Sequence, residues 1–298
     1  MDTNFLPPYQ IHEILDNFAL SQTIGWGLKD LNIPDLWQET RGEGVTIAVI
    51  DTGYVNHFEL KHSIKTHLCR SFVPNEDIDL NGHSTMVCGV ISAKDDNNGV
   101  VGVAPLSELV TIKAIPDAGS FSDMTLLNNS LEYALSINPD IVNLSLGGYQ
   151  RYGGYTESLI QEFYNRNIPF VCASGNRADK PVTYPANYEH SIGVTSFKKG
   201  RLISDFSPSG ENIDFALPGD QIITTALDDK YAVVSGSSFA APFMSGIIAL
   251  LISSWKKRNM PYTVDSIMEK LRTKCIKVDN NDKHSQFGYG IINMKDLN

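Results

Sequence analysis

Three side chains that could act as acid, base and nucleophile stand beside small residues at predicted strand ends or helix starts. Asp51 follows residues 45–50, an apolar and β-branched run that is typical of a buried parallel strand. His83 lies in a loop that runs into an apolar helix, and Ser238 begins an apolar helix that continues to about Trp255. A serine hydroxyl becomes a good nucleophile when an imidazole takes its proton and a carboxylate orients that imidazole. These residues therefore predict a nucleophilic triad.

Two further segments could serve the same chemistry. The first helical turn after Ser238 has unpaired backbone N–H groups, and Asn176 follows another predicted strand with a carboxamide. Together they predict a pair of donors for an oxyanion. Residues 143–148 end a further strand with a polar side chain and two glycines, which suits pairing with an extended peptide substrate.

The elements that must position these groups alternate between strands and helices. Residues 124–137 place their apolar side chains on one helical face. The remaining buried strands are predicted at residues 109–114, 141–146, 168–173 and 191–195. This alternation predicts an α/β fold, with a mostly parallel sheet covered by helices on both faces and with its site at the carboxyl ends of the strands.

The first forty residues differ from this regular pattern. They contain Pro7, Pro8 and a helix-like stretch at residues 11–20, followed by a turn signal at residues 25–27. The simplest division is an amino-terminal extension at residues 1–22 and one α/β domain at residues 23–298.

Composition limits the classes of function. The 298 residues carry a formal charge of −10, which argues against general nucleic-acid binding because phosphates need a basic surface. The amino terminus has no secretory pattern, and the apolar stretch 243–255 is too short to cross a membrane. We therefore expect a cytoplasmic protein with no membrane partner.

The four cysteines are scattered and match no metal motif, so reduced thiols are expected.

The triad segments and several other blocks occur in the order found in subtilisins, and the chain resembles that family from about Gly27 to Asn293. The additional blocks are residues 102–105, 184–186, 206–210, 217–219 and 287–293. The resemblance implies a three-layer subtilisin-like fold and a serine endopeptidase that works through an acyl-enzyme. Residues 5–9 resemble the extension motif of the intracellular branch, so the extension could be an inhibitory propeptide that lies along the cleft.

The resemblance also assigns substrate and metal residues by position. It implies that Ser145, Gly147 and Gly175 line the substrate cleft, that Thr183 forms the floor of the pocket for the residue preceding the cut, and that Arg177 stands at its rim. A structural Ca²⁺ is implied as well, and hard oxygen ligands suit that ion. Its ligands would be the carboxylates of Glu59 and Asp96 and the carbonyl groups of Lys94, Asn98 and Val100. The alternative for this loop is a solvated acidic turn.

Two departures from the family pattern keep other functions open. Ser84 follows His83 where the family usually has glycine, and Ser237 precedes Ser238 where it usually has threonine. A dedicated protease that removes the leader from one peptide precursor, such as a lantibiotic, is therefore an alternative. A catalytically silent binding homologue is a weaker one, because the triad and Asn176 are all present. The intracellular branch often dimerises, so the resemblance implies a homodimer, although no residue indicates one.

Overall fold

The computed structural model of the protein describes residues 4–16 and 22–297. The strands are β1 (Asn4–Phe5), β2 (Gln10–Leu15), β3 (Thr46–Asp51), β4 (Arg70–Ser71), β5 (Glu108–Lys113), β6 (Ser120–Phe121), β7 (Ile141–Leu144), β8 (Phe170–Ala173), β9 (Ile192–Lys198), β10 (Leu202–Ile203), β11 (Phe215–Pro218), β12 (Ile222–Ala226), β13 (Lys230–Ser235), β14 (Cys275–Ile276) and β15 (Ile291–Ile292). The helices are α1 (Trp26–Asp30), α2 (Ile33–Leu36), α3 (His83–Ser92), α4 (Met124–Ile137), α5 (Gly154–Asn165), α6 (Ser237–Lys257) and α7 (Val264–Thr273).

The central sheet is mostly parallel, as the sequence predicts. Its strand order is β14-β15-β11-β9-β8-β7-β3-β5-β4, and β10 pairs with β9. The pairs from β15–β11 through to β5–β4 are parallel, whereas β14–β15 and β9–β10 are antiparallel. The carboxyl ends of β3, β7 and β8 therefore meet at one edge of the sheet.

Helices cover both faces of this sheet, which gives the expected three layers. Alternate residues of β3 point to opposite faces, so Ile47 and Val49 join one apolar cluster while Ala48 and Ile50 join another. The first cluster contains the buried side chains of α3 and α6, and the second contains those of α4 and α5. Both faces being buried explains why the strands read as continuous apolar runs.

Helix α6 is the longest element and forms the middle of one layer. Its 21 residues are long and apolar enough to cross a membrane, but residues 237–255 are all buried inside the protein. The apolar stretch 243–255, predicted from the sequence to be too short to cross a membrane, is shorter than the whole helix. The buried serines and alanines before it belong to the same helix. A helix that is apolar on all sides is expected at the centre of a large core.

The amino-terminal segment is extended rather than helical. The helix-like pattern at residues 11–20 was misleading, because residues 10–15 form β2, and residues 17–21 lie outside the described part of the chain. Strand β2 pairs antiparallel with β13, which itself pairs with β12. The neighbouring strand therefore decides the conformation of a segment whose own side chains are largely exposed.

Candidate active site

The buried pair Asp51 and His83 forms the centre of the site. Asp51 is the last residue of β3 and His83 is the first residue of α3, and neither side chain is exposed. The His83 Nδ1 atom lies 2.8 Å from Asp51 Oδ1 and 3.0 Å from Oδ2. Because a carboxylate only accepts hydrogen bonds, Nδ1 is the donor of this pair, and in the corresponding neutral tautomer Nε2 is the acceptor. His83 Nε2 is buried and has no hydrogen-bond partner in residues 4–16 and 22–297.

Ser238 lies in the first turn of α6, and its backbone is held by the end of β7. Pro242 has no N–H, so it cannot donate to the Ser238 carbonyl four residues earlier. The Ser145 hydroxyl donates to that carbonyl instead, at 3.1 Å. Ser145 accepts in turn from Asn143 Nδ2 at 3.2 Å, and Ser245 donates to Asn143 Oδ1 at 2.9 Å. These bonds secure the start of α6 against the carboxyl edge of the sheet.

The Ser238 hydroxyl does not bond to the His83 ring in this structure. Its Oγ atom donates to the Ser145 carbonyl at 3.4 Å. A catalytic hydrogen bond between a serine and a histidine is often long or poorly aligned in the absence of substrate and tightens when substrate binds. Of the predicted triad, the structure joins Asp51 and His83 directly, and the ring of Phe239, the residue after Ser238, has its centroid 5.7 Å from that of His83.

Asn176 is oriented by the residue before Ser238. The Ser237 N–H donates to Asn176 Oδ1 at 2.7 Å, which leaves the amide nitrogen of Asn176 as a free donor. That Nδ2 atom is buried and lacks a partner within the described ranges. The Ser237 hydroxyl accepts from the Gly175 N–H at 3.1 Å and donates to the Gly175 carbonyl at 3.0 Å. A serine at position 237 thus joins the start of α6 to the segment that follows β8.

Tyr9 of the extension covers this site. Its ring centroid lies 5.0 Å from that of His83 and 5.8 Å from that of Phe239. Burial, followed by the negative charges of Asp51 and Asp79, raises the pKa of Tyr9 to about 12. The ring is therefore a neutral apolar cover over the imidazole.

The residues before Tyr9 occupy a cleft between two backbone segments. Phe5 exchanges two backbone hydrogen bonds with Gly147, each 3.0 Å long, and β1 also pairs antiparallel with β6. The Leu6 N–H donates to the Gly119 carbonyl at 3.0 Å. The extension is thus the middle strand of a short three-stranded arrangement, with Gly147 on one side and residues 119–121 on the other.

Thr183 fills the space between the two predicted cleft glycines. A methyl group added at Gly147 would lie 2.5 Å from Thr183 Oγ1, and one added at Gly175 would lie 3.0 Å from Thr183 Cγ2. The Thr183 side chain is fully buried, and its hydroxyl donates to the Ala173 carbonyl at 3.3 Å. Thr183 therefore occupies the space between Gly147 and Gly175, and its role as the floor of a substrate pocket stays a prediction.

Arg177 is exposed and is paired within its own loop. Its guanidinium donates to both carboxylate oxygens of Asp179, at 3.0 and 3.1 Å. This pairing reduces the positive charge that Arg177 could offer to a substrate. The net charge that this loop presents to a substrate is consequently smaller than the charge of Arg177 alone.

The predicted calcium loop brings oxygen atoms together beside a buried carboxylate. Glu59 is buried, its Oε1 accepts from the Tyr231 hydroxyl at 2.7 Å, and its Oε2 has no partner among the residues that the structure describes. Burial raises the pKa of Glu59 to about 7. The Lys94 and Val100 carbonyls both accept from Gln22 Nε2, at 2.7 and 3.3 Å, so they converge on one point.

Asp96 is the less free of the two predicted carboxylate ligands. Its oxygens contact Lys94 Nζ at 3.1 Å and the Asn98 N–H at 3.1 Å. The described residues contain no group of three or more histidine, cysteine, aspartate or glutamate side chains that could hold a metal. A cation here would thus depend on backbone carbonyls, and the orphaned Glu59 oxygen with the converging carbonyls fits the oxygen donors that Ca²⁺ takes.

Several residues of the site have no clear signal in a single sequence. They are Tyr9 as a cover, Gly119 as a cleft strand, Gln22 beside the acidic loop, and Asp79 with Thr52 behind the Asp51–His83 pair. Pro242, in contrast, does have a signal in the sequence. A proline inside an apolar helix leaves the carbonyl four residues earlier without its usual backbone donor.

Comparison with known proteins agrees with this architecture. Residues 42–290 match the family model described as the subtilase family, peptidase S8. The chain is 34% identical over 262 residues to the major intracellular serine protease of Bacillus subtilis, covering 83% of this chain and 80% of the relative. It is 35% identical over 237 residues to an intracellular serine protease of Paenibacillus polymyxa, covering 76% and 72%. It is 32% identical over 272 residues to the minor extracellular protease Epr of Bacillus subtilis, covering 91% of this chain but only 41% of that relative.

The fold and the site therefore define a subtilisin-like serine endopeptidase. The chain belongs to the subtilase family, since the matching model spans most of its length. This confirms the predicted family, the three-layer α/β fold and the class of enzyme.

Proposed function

We propose that this protein hydrolyses peptide bonds through an acyl-enzyme formed on Ser238. The observation that carries the proposal is the buried Asp51–His83 pair, whose Nδ1 hydrogen bonds leave Nε2 as a free base beside the start of α6. Asp51 would hold the imidazole in this tautomer and stabilise its charged form. Asn176 Nδ2 and the Ser238 N–H would donate to the oxyanion.

The reaction would proceed in two halves. Ser238 Oγ attacks the substrate carbonyl while its proton passes to His83 Nε2, and the carbonyl electrons move to the oxyanion. When the tetrahedral intermediate collapses, the C–N bond breaks and His83 gives the proton to the leaving amine. Water then repeats the attack with His83 as base, which releases the acid product and restores Ser238.

The substrate would bind as an extended strand in the cleft that the extension now fills. Gly147 and residues 119–121 already offer backbone hydrogen bonds to a strand between them. Such main-chain bonds bind a peptide without regard to its side chains, whereas pockets select among side chains. Because Thr183 fills the space beside Gly147 and Gly175, we propose that the residue preceding the cut is small. The rim charge of Arg177 would add only a weak preference, because Asp179 pairs with it.

We further propose that the extension, residues 1–22, is an inhibitory propeptide. With Tyr9 in place, His83 and Ser238 have no exposed surface, so a substrate carbonyl could not reach them. Pro7 and Pro8 would resist cleavage, because neither has the N–H group and backbone freedom of an ordinary substrate residue.

A structural Ca²⁺ is a further proposal. Glu59 and Asp96 with the carbonyls of Lys94, Asn98 and Val100 would hold the ion. A bound ion would neutralise the carboxylates and stabilise the folded chain by mass action.

A cytoplasmic location and a dedicated processing role are the remaining proposals. The four cysteine thiols are unpaired, and two relatives are named intracellular proteases. The filled pocket also favours, as a second candidate, a leader-peptide protease of narrow specificity. The homodimer remains an expectation from the resemblance.

The nucleophile can be tested with a fluorophosphonate probe and mass spectrometry. We expect the probe to modify Ser238 alone, and the Ser238→Ala variant to lose both labelling and nearly all peptidase activity. Ser253→Ala is the matched control, since Ser253 is a buried serine near the other end of the same helix. Undiminished activity in Ser238→Ala would exclude the proposed mechanism.

A further inference from the structure

A second buried aspartate, Asp79, lies directly behind the Asp51–His83 pair. It is 4% exposed, and it accepts four hydrogen bonds. Its Oδ1 accepts from the Thr52 hydroxyl and from the Gly82 N–H, each at 2.8 Å. Its Oδ2 accepts from the Thr85 N–H at 2.8 Å and from the Thr85 hydroxyl at 2.7 Å. Every one of these donors is a near neighbour in sequence of Asp51 or His83.

The bonds of Asp79 join two elements that are far apart in sequence. Gly82 and Thr85 lie on either side of His83. Asp79 Oδ1 accepts a hydrogen bond from the residue before the histidine, and Asp79 Oδ2 accepts hydrogen bonds from the first turn of α3. Gly82 adopts a φ of 90°, which permits the tight turn between Asp79 and this helix.

Thr52 completes the connection to β3. Its N–H donates to Asp51 Oδ1 at 2.7 Å, and its hydroxyl accepts from the Ser84 N–H at 2.9 Å while donating to Asp79. Its carbonyl accepts from the fully buried ammonium of Lys113 on the adjacent strand. Thr52 is therefore held on three sides.

We propose that Asp79 is a positioning residue that sets the distance and angle between Asp51 and His83. Asp79 touches neither substrate nor reacting atoms, and it would act by holding Thr52 and the first turn of α3 in one frame. The proposal rests on the proposed function, because positioning matters only if this pair performs the chemistry. If Asp79 only stabilised the fold, the factor by which its substitution lowers activity would be the same with and without the His83 imidazole.

The size of the effect follows from the geometry of proton transfer. Reacting groups need near-contact distances and aligned orbitals, and a displacement of about 1 Å can cost about 100-fold in rate. In Asp79→Asn one carboxylate oxygen becomes an amide that cannot accept from the donors facing it. We therefore expect kcat to fall about 10- to 100-fold, with KM changed by less than about 3-fold.

A double-mutant cycle with His83→Ala separates positioning from stability. With the imidazole removed, the residual activity comes from the oxyanion donors and substrate binding. We expect Asp79→Asn to cost less than about 2-fold in that background, because residues that act as one unit are not additive. The same fold loss in both backgrounds would overturn the proposal.

The matched control is Asp214→Asn at the opposite edge of the sheet. Asp214 is also a buried aspartate, it precedes β11, and it accepts from the Gly193 N–H at 2.8 Å and from Lys283 Nζ at 3.0 Å. We expect this variant to lower the melting temperature and leave kcat unchanged. A comparable loss of kcat in Asp214→Asn would show that any buried aspartate has this effect, which would contradict positioning by Asp79.

A spectroscopic readout keeps the test independent of peptidase activity. The downfield proton resonance of the His83 Nδ1–H reports its hydrogen bond to Asp51 in the full-length chain. It should shift in Asp79→Asn and stay unchanged in Asp214→Asn; an unchanged resonance in both would refute the proposal.

If Asp79→Asn does not fold, Thr52→Val makes the same test, because it keeps the shape of the side chain and removes only the hydroxyl bonds to Asp79 and Ser84. Loss of the proposed function would appear separately, as activity that survives Ser238→Ala.

Discussion

Replacing Tyr9 with alanine should expose the active site while the rest of the extension stays bound. The tyrosine ring packs against the His83 and Phe239 rings at centroid distances of 5.0 and 5.8 Å. On either side of it, β1 remains paired with β6 and β2 remains paired with β13. The substitution therefore removes the cover and leaves both attachment points of the segment.

The expected size follows from these two contacts. An aromatic pair of this kind contributes about 0.5–1.5 kcal/mol, so the two together favour the covered state by about 1–3 kcal/mol. A ligand reaches only the uncovered fraction of molecules, which should rise by about 5- to 150-fold when this free energy is lost. Little is added by the Tyr9 hydroxyl, whose contact with Asn81 is 3.5 Å long.

The rate at which a fluorophosphonate labels Ser238 measures this uncovered fraction. We expect Tyr9→Ala to be labelled faster than the wild type, and a chain that lacks residues 1–16 to set the upper limit. Tyr155→Ala is the control, because Tyr155 is an exposed tyrosine on α5. If Tyr9→Ala reacts at the wild-type rate while the truncated chain reacts faster, another part of the extension is the cover. Equal rates for the truncated and full-length chains would refute inhibition by the extension altogether.

The remaining predictions concern the oxyanion, the metal and the specificity pocket. Asn176→Leu should lower kcat by about 10²- to 10³-fold with little change in KM, which is the cost of losing one oxyanion donor in a subtilisin, and steady-state kinetics would measure it. Chelation should lower the melting temperature of the wild type but not of Asp96→Ala. Identical melting curves for the wild type with and without chelator would show that calcium does not stabilise the fold. Thr183→Gly should extend cleavage of a peptide library to large residues before the cut, and an unchanged profile would show that this side chain does not border the pocket. Arg177→Glu should raise cleavage after lysine only a few-fold, because an exposed pair contributes about 0.2–1 kcal/mol, and the same library would detect it.

The order of elements and the identity of the central groups could be predicted from the sequence. Buried parallel strands are apolar throughout, so β3, β5, β7 and β8 were found within a few residues of their ends. Polar residues placed directly after such strands indicate the edge of the sheet where they will meet. Asp51 and Asn176 were recognisable for this reason.

The extension shows where local patterns fail. Residues 11–20 have a helix-like spacing, but residues 10–15 form β2 because β13 offers an edge to pair with. Backbone hydrogen bonds to a distant strand outweigh a weak local preference when most side chains of the segment are exposed. The contact of Tyr9 with His83 could not be read from the chain, since 74 residues separate them and many tyrosines would look alike.

The sequence by itself therefore determined the class of fold, the edge of the sheet that carries the site, and the residue types available for chemistry. Only the tertiary structure decided which of those groups touch. It brought Asp79 to Thr52 and Thr85, it supplied the Ser145 hydroxyl to the carbonyl that Pro242 leaves unpaired, and it placed Thr183 between two glycines. The physical reason is that periodicity and local propensity act over a few residues, whereas hydrogen bonding and packing in a buried site depend on side chains from segments that only the completed fold brings within a few ångströms of one another.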